Sequence, residues 1–223
     1  MPDTNDLTRI LLVEDHPVFI VGLKELINQE ADLKVCGEAS DVPSAWKQLQ
    51  AFRPDMVIVD ITLKEGNGID LVRDISKHDP SLPVLVLSMH EESLYAERAL
   101  AAGARGYIMK QETSTSIIQA IRCVLGGEIY AGKNLMRAIL GRFANRSETP
   151  SISPIEKLTD REVEVLEAIG QGLTTKQIAG KLHLSIKTIG TYRERIKEKL
   201  GLQNAFELIH QAVRWIEQKS EKR

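Results

Sequence analysis

The chain of 223 residues is 43% hydrophobic and 27% charged, with a formal net charge of −2, which is typical of a globular protein with one large domain or two ordinary ones. This composition excludes collagen-like, intrinsically disordered and disulfide-scaffold proteins. No apolar run approaches the roughly 20 residues that span a bilayer, and the first eight residues lack the basic and apolar regions of a signal peptide, so we expect a cytoplasmic protein.

Residues up to about 126 alternate between two hydrophobic patterns. Short β-branched runs predict strands buried on both faces of a parallel sheet, and they are Ile10–Val13, Leu33–Cys36, Met56–Val59, Val84–Leu87 and Gly106–Met109. Segments of helical period follow these strands, at Val18–Ile27, Pro43–Phe52, Ile69–Ile75, Leu94–Ala101 and Ser116–Leu125. This alternation predicts an α/β doubly wound five-stranded parallel sheet with helices on both faces.

The middle of the chain separates two parts of opposite charge. A short helix is predicted over 131–143, and residues 144–155, rich in Ser, Thr, Asn and Pro, predict a mobile linker. Residues 1–129 contain 12 basic and 20 acidic residues, whereas residues 157–223 contain 13 basic and 9 acidic ones. We therefore expect a first domain over 1–129, a helix and linker over 130–156, and a second domain over 157–223 that meets a polyanion.

The second domain is predicted to consist of helices alone. Capping boxes begin the first two helices, and they pair Thr159 with Glu162 and Thr174 with Gln177. Ser185 can cap a third helix that ends at Gly201, and a fourth begins near Asn204. This part is therefore expected to be a small all-α domain.

Polar residues stand where the predicted strands end. Glu14 and Asp15 follow the first strand, Asp60 the third and Ser88 the fourth, and Lys110 follows the fifth. The carboxyl ends of parallel strands form the site edge of a doubly wound sheet, and crowded carboxylates suit Mg²⁺. An aspartate beside Mg²⁺ can accept a phosphoryl group as an acyl phosphate, with the lysine stabilising the charge. Singly, such residues are commonly helix caps or solvated charges; together they favour a phosphoryl-transfer site.

The segment 174–200 predicts a helix-turn-helix. On its second helix, Ile189, Tyr192, Ile196 and Leu200 share one face, and the opposite face is polar. Such a helix can enter the major groove of DNA, although a plain helical bundle with a solvated face fits the charge pattern equally well. Basic residues could contact phosphates, namely Lys176, Lys181, Lys187, Arg193, Arg195, Lys197 and Lys199.

Residues 8–126 resemble the receiver domain of bacterial two-component response regulators, which has a flavodoxin-like fold. The matching segments are Ile10–His16, Met56–Asp60, Val84–Ser88 and Gly106–Lys110. The resemblance implies that Asp60 is the phosphoacceptor and that Glu14 and Asp15 form the acidic pair of an Mg²⁺ site. Asp15, Asp60 and the backbone carbonyl of Thr62 would then be the direct metal ligands.

The resemblance also assigns the residues that sense the phosphoryl group. Lys110 would contact it, and Ser88 and Tyr107 would form the switch pair, in which the hydroxyl moves towards the phosphoryl group and the aromatic ring swings inward. Two residues depart from the family pattern, because Lys64 and Gln111 stand where many receivers have proline. They affect the expected loop rigidity and dephosphorylation rate, but not the phosphoacceptor.

Residues of about 157–216 resemble a LuxR-type DNA-binding domain, so the whole chain resembles a response regulator of the NarL/LuxR-type class. The matching segments are Leu158–Glu162, Gly172–Thr174, Gln177–Ala179, Ser185–Ile189 and Lys199–Gly201. The expected DNA-binding residues are Lys176, Lys181, Lys187, Thr188, Gly190, Thr191, Arg193, Glu194, Arg195 and Lys197. Gly190, Tyr192 and Glu194 depart from many relatives, so the target sequence cannot be inherited from them. Glu194 either accepts a hydrogen bond from cytosine or only repels phosphate.

The resemblance implies a phosphorylation-switched transcription regulator. A sensor histidine kinase would phosphorylate Asp60, and the receiver would control homodimerisation and binding to double-stranded DNA. The resemblance implies Mg²⁺ as the one cofactor and implies no membrane partner. It implies no enzyme activity beyond the receiver's own phosphoryl transfer and autodephosphorylation. Two alternatives remain from the residues: a phosphoester hydrolase with a protein-docking tail, and a regulator that works without phosphorylation.

Overall fold

The computed structural model describes residues 7–63, 66–89, 92–132 and 154–221, which fall into two compact units on either side of 133–153. The first unit contains a five-stranded sheet in the order β2-β1-β3-β4-β5, and every neighbouring pair is parallel. Its strands are β1 (Thr8–Val13), β2 (Leu33–Ala39), β3 (Met56–Asp60), β4 (Val84–Ser88) and β5 (Gly106–Met109). The predicted five-stranded parallel sheet is therefore confirmed.

Five helices alternate with these strands, as predicted. They are α1 (Pro17–Asn28), α2 (Val42–Phe52), α3 (Gly68–His78), α4 (Glu92–Ala101) and α5 (Ser114–Leu125). Every residue of the central strands β3 and β4 is buried, which explains their unbroken apolar sequence. The edge strand β2 extends three residues beyond its predicted end at Cys36, because a strand with one unpaired edge tolerates the half-buried Gly37 and the exposed Glu38.

Over residues 154–221, the second unit contains a 3₁₀ helix at Pro154–Lys157 and four α-helices. These are α6 (Asp160–Gly170), α7 (Thr175–Lys181), α8 (Ile186–Leu200) and α9 (Ala205–Glu221). Both predicted capping boxes are present, and they begin α6 and α7. Ser185 accepts a hydrogen bond from the backbone of Thr188 at the start of α8, and Gly201 ends this helix in the left-handed conformation, with φ of 69°.

Helix α6 is the centre of the second unit, since nearly all of its residues are buried. Gly170 lies so close to α9 that an added Cβ would stand 2.6 Å from the carbonyl oxygen of Ala212, so glycine lets the two backbones touch. The predicted helix over 131–143 and the predicted linker over 144–155 lie outside the described residues, except at their ends. Of the linker, Pro154 and Ile155 belong to the 3₁₀ helix, and Ile155 is buried. Within the described ranges, no helix is both long and apolar enough to cross a membrane.

Candidate functional site

The carboxyl edge of the sheet brings an ammonium group between two carboxylates. Glu14 follows β1, and Asp60 ends the neighbouring strand β3. The Nζ atom of Lys110, directly after β5, lies 2.5 Å from Oε2 of Glu14 and 2.9 Å from Oδ2 of Asp60. All three side chains are at most 4% exposed. Three residues predicted from separate strand ends therefore form one buried ion cluster.

The charges of this cluster are not balanced. The pKa of Asp60 is raised to about 6, chiefly by burial; the charge of Lys110 lowers this pKa, and the neighbouring carboxylates Glu14 and Asp15 raise it. Removing Asp60 from water disfavours its ionised form, and one lysine offsets only part of that cost. The site thus favours a second cation.

The donor set at this edge fits a divalent cation. Carboxylate oxygens of Glu14, Asp15 and Asp60 and a ring nitrogen of His16 all lie within 4.8 Å of one another. Carboxylates are the ligands that Mg²⁺ prefers in proteins. Thr62, whose backbone carbonyl is the further predicted ligand, lies two residues beyond Asp60 and is half-buried.

Two residues of the α1 region that were not predicted to have a role complete the site. His16 precedes α1, and its Nδ1 atom lies 2.8 Å from Oε1 of Glu14. The Nζ atom of Lys110 lies 4.8 Å from the centre of the Phe19 ring, a cation–π contact that helps to hold the ammonium group. The positions of these two residues in the sequence could have indicated that they lie near the site, because a helix that begins directly after the acidic pair must place its first turn at the same sheet edge.

The loop after Asp60 is closed by a tight network of backbone contacts. The backbone N–H of Gly68 donates to the carbonyl of Ile61 at 2.8 Å, and Thr62 forms a single β-bridge with Asn67. The buried side chain of Asn67 accepts hydrogen bonds from the first backbone N–H groups of α3, including that of Ile69 at 2.8 Å. This network holds the backbone of Thr62 in position relative to the carboxyl end of β3. Lys64, the first departure from the family pattern, lies outside the described residues.

The predicted switch residues lie on the two strands beside the cluster. Ser88 ends β4 and Tyr107 belongs to β5, and both side chains are fully buried. The backbone N–H of Lys110 donates to the carbonyl of Ser88 at 2.8 Å, which ties the lysine to the end of β4. The backbone N–H of Tyr107 donates to the carbonyl of Tyr130 at 2.9 Å, and the N–H of Tyr130 donates to the carbonyl of Arg105 at 3.0 Å. The chain that leaves α5 is therefore fastened alongside β5.

The second unit contains the predicted helix-turn-helix in α7 and α8. Ile189 and Ile196 of α8 are fully buried, so the opposite face of this helix is directed outward. The turn includes His183 in the left-handed conformation, with φ of 53°. Of the predicted DNA-binding residues, six are exposed, namely Lys176, Lys181, Lys187, Thr191, Glu194 and Arg195. The other four are half-buried, namely Thr188, Gly190, Arg193 and Lys197.

Two features modify the expected contacts of α8. Glu194 and Lys197 form an ion pair of 2.9 Å, which neutralises part of the basic surface. The Nζ atom of Lys199 lies 2.6 Å from Oε2 of Glu162, so this lysine joins α8 to the start of α6, and its predicted phosphate contact stays a prediction. An added Cβ at Gly190 would meet open space, so its half-buried backbone is accessible from the outward side.

Replacing Glu162 by Gln should destabilise the second unit by about 1–2 kcal/mol, because it removes the charge that pairs with Lys199 while preserving an acceptor for the Thr159 backbone. Burial opposes ionisation of Glu162, but the hydrogen bonds from Lys199 and Thr159 outweigh it and lower its pKa. A lowered pKa in the folded state adds stability above about pH 4.3 that is lost as the pH falls below this ordinary value.

The measurement is urea unfolding between pH 7 and pH 3, followed by Trp215 fluorescence in a Trp46→Phe background. The stability difference between the wild type and Glu162→Gln should shrink at the acid end. Glu198→Gln, on the exposed face of α8, is the matched control. A difference that stays constant down to pH 3 would contradict the assigned ion pair.

Comparison with known proteins identifies both units. Residues 10–122 match the family model of the response regulator receiver domain, and residues 156–212 match that of bacterial regulatory proteins of the luxR family. The oxygen regulatory protein NreC of Staphylococcus epidermidis is 32% identical over 211 residues, which cover 92% of this chain and 97% of that protein. NreC of Staphylococcus aureus is 30% identical over 210 residues, with the same coverage.

Solved structures give the same result. RcsB from Salmonella enterica serovar Typhimurium, bound to promoter rprA in the presence of phosphomimetic BeF₃⁻, has a TM-score of 0.59 at 26% identity, covering 92% of this chain and 97% of that chain. A LuxR-family two-component response regulator from Aurantimonas has a TM-score of 0.58 at 32% identity, covering 62% of this chain and 99% of that chain. The chain therefore belongs to the LuxR-family response regulators, phosphorylation-switched DNA-binding transcription regulators that join a receiver domain to a luxR-type DNA-binding domain.

Proposed function

We propose that Asp60 is the phosphoacceptor of this regulator and that a sensor histidine kinase is its phosphoryl donor. The observation that carries the proposal is the buried Lys110 ammonium group, within 2.9 Å of Asp60 and 2.5 Å of Glu14. A lysine in this position can stabilise the negative charge of a transferring phosphoryl group. It belongs to the same chain as a helix-turn-helix, so phosphoryl transfer and DNA binding are joined on one molecule.

The chemistry follows from the groups at the sheet edge. A carboxylate oxygen of Asp60 forms a bond to phosphorus while the bond from phosphorus to the donor nitrogen breaks, and the product is an acyl phosphate. Glu14, Asp15, Asp60 and the backbone carbonyl of Thr62 would hold Mg²⁺, with Asp15, Asp60 and Thr62 as direct ligands. Bound there, the ion would neutralise the carboxylates and the phosphoryl oxygens. Hydrolysis of the acyl phosphate at the same site would return the Asp60 carboxylate and release inorganic phosphate.

The response would travel through β4 and β5, the strands that carry Ser88 and Tyr107. The Ser88 hydroxyl would move towards the phosphoryl oxygens, and the ring of Tyr107 would occupy the inward position. Two facts support this route: both side chains are buried, and Ser88 and Lys110 share a backbone hydrogen bond. A bound phosphoryl group would thus act on Ser88 and Lys110 together.

The second unit would bind double-stranded DNA with α8 in the major groove. Its outward face carries Lys187, Thr191 and Arg195, which can contact phosphates and base edges. Related RcsB structures were solved with promoter DNA and as two dimers bound to two parallel DNAs. By this analogy we expect phosphorylated chains to bind paired half-sites as homodimers in the cytoplasm.

Replacing Lys187 by Ala should weaken DNA binding by about tenfold at moderate salt and reduce the slope of log affinity against log salt by about one. Lys187 lies in the first turn of α8 and is exposed, which suits a phosphate contact. Fluorescence anisotropy with selected DNA at several salt concentrations measures both quantities. Lys34→Ala, an exposed lysine of β2 in the other unit, should bind like the wild type; an unchanged salt slope in Lys187→Ala would remove this residue from the interface.

The test of the whole function is selection of binding sites from random duplex DNA, with and without prior incubation with phosphoramidate and Mg²⁺. We expect enrichment of one paired motif by the phosphorylated chain and much weaker enrichment by the untreated chain. Equal enrichment in both arms would indicate a regulator that works without phosphorylation. If no motif is enriched in both arms of the selection and the chain turns over a phosphoester, the hydrolase alternative would be favoured.

A further inference from the structure

His16 occupies a helix-capping position without capping the helix. It precedes α1 at the N-cap, where Ser, Thr, Asp and Asn normally bond the first backbone N–H groups, yet its side chain makes no such bond in this described segment. Its Nδ1 atom instead lies 2.8 Å from Oε1 of Glu14 and 2.8 Å from Oδ1 of Asp15. The ring thus lies against the acidic pair on the solvent side of the cluster.

These distances match those between ligands of one metal ion. An octahedral ion with bonds of about 2.1 Å holds neighbouring ligands about 3 Å apart and opposite ligands about 4.2 Å apart. The Nδ1 atom of His16 stands at the shorter distance from two carboxylates, and the whole donor set, including Asp60, spans at most 4.8 Å. One ion could therefore contact the imidazole nitrogen and the carboxylate of Asp15 with little rearrangement.

The imidazole is also accessible. The side chain of His16 is 63% exposed, whereas those of Glu14 and Asp15 are 4% and 6% exposed. A cation that enters from solvent would meet the ring before the carboxylates. The neighbouring cation, Lys110, is held on the other side of Glu14 by Oε2, so it does not compete for this position.

We propose that His16 is a nitrogen ligand of the cation at this sheet edge and shifts its selectivity from Mg²⁺ towards first-row transition metal ions. Carboxylate and carbonyl oxygens suit Mg²⁺ and Mn²⁺, whereas imidazole favours ions such as Ni²⁺ and Zn²⁺. The inference rests on the proposed function, because it concerns the same cation site. It makes the receiver responsive to the supply of transition metal as well as to its kinase.

The test uses the full chain with Mn²⁺ as the spectroscopic probe. Pulsed electron paramagnetic resonance of bound Mn²⁺ should show a coupling to ¹⁴N in the wild type, and His16→Gln should lose it. Displacement of the Mn²⁺ by Ni²⁺ and by Mg²⁺ gives the two affinities. We expect His16→Gln to lower the Ni²⁺ affinity about tenfold, in line with the usual effect of altering a metal's surroundings, and the Mg²⁺ affinity by less than about twofold.

Two control variants separate the possible failures. His210→Gln removes an exposed imidazole of α9 in the other unit and should retain the ¹⁴N coupling. Asp15→Asn should lose Mn²⁺ binding altogether. If the wild type binds no Mn²⁺, or Asp15→Asn binds it normally, the cation site of the proposed function fails. The inference is overturned if Mn²⁺ binds to the wild type without ¹⁴N coupling, or if His16→Gln and His210→Gln have the same ratio of Ni²⁺ affinity to Mg²⁺ affinity. In either case His16 only hydrogen-bonds the acidic pair, and the proposed function stands.

Discussion

Replacement of Asp60 by Asn is expected to abolish phosphoryl uptake by the chain. The wild type, incubated with Mg²⁺ and phosphoramidate, should gain about 80 Da for one added HPO₃ group. Asparagine retains the volume of the side chain but has no carboxylate oxygen to attack phosphorus. It also leaves Lys110 paired with Glu14 alone, so the buried cluster loses one charge but keeps an ion pair. The variant should fold, and its mass should not change.

Intact mass spectrometry over time provides the measurement, and DNA binding provides a second readout. Asp74→Asn is the matched control, because Asp74 is an exposed aspartate of α3 in the same unit and its replacement should leave uptake at the wild-type rate. Normal uptake by Asp60→Asn would place the phosphoacceptor elsewhere. Full dependence of DNA binding on the phosphodonor in this variant would lead to the same conclusion.

Replacement of Gly68 by Ala should be among the most disruptive single changes in the receiver. An added Cβ would stand 1.9 Å from the carbonyl oxygen of Asp60, far inside van der Waals contact. Because that neighbour is backbone, the strand end and the loop must move apart. We expect a loss of about 3 kcal/mol of folding stability and a fall in Mg²⁺ affinity of at least about tenfold, since the displaced loop carries the carbonyl of Thr62.

Urea unfolding measures the first effect, with Trp46 fluorescence in a Trp215→Phe background. Titration of the folded protein with Mg²⁺ in the absence of urea measures the second effect. Gly22→Ala is the control, because an added Cβ at this exposed glycine of α1 meets nothing within 4 Å and should stabilise the helix by up to about 1 kcal/mol. Wild-type stability in Gly68→Ala would mean that the loop is not packed against Asp60 as described.

The cluster at the sheet edge could be predicted because topology alone brings it together. In a parallel sheet the carboxyl ends of the strands lie at one edge, so Asp60 and Lys110 stand at the same edge, two strands apart, within the reach of a lysine side chain. The roles of His16 and Phe19 could not be derived in the same way. They depend on which face the first turn of α1 presents and on where the lysine ammonium group settles, and both are results of packing.

In the second unit, features set by residues close in sequence could be predicted, and contacts between residues distant in sequence could not. Its helix starts were predicted correctly because a capping box is complete within four residues, as with Thr159 and Glu162. The pairing of Lys199 with Glu162 was not predicted, because the two residues are 37 positions apart in the chain. Helix period identifies the outward face of α8, but it does not show which of the bordering lysines turns back towards another helix.

The backbone hydrogen bonds of Tyr130 hold it beside β5, so the connection between the two units begins after this residue. About 25 residues separate Tyr130 from Ile155, which is buried in the second unit, and a fully extended chain of that length reaches at most about 85 Å. Half-sites one turn of DNA apart are separated by about 34 Å. If phosphorylated chains bind paired half-sites as proposed, a connection with this maximum length would not by itself exclude half-sites one turn of DNA apart.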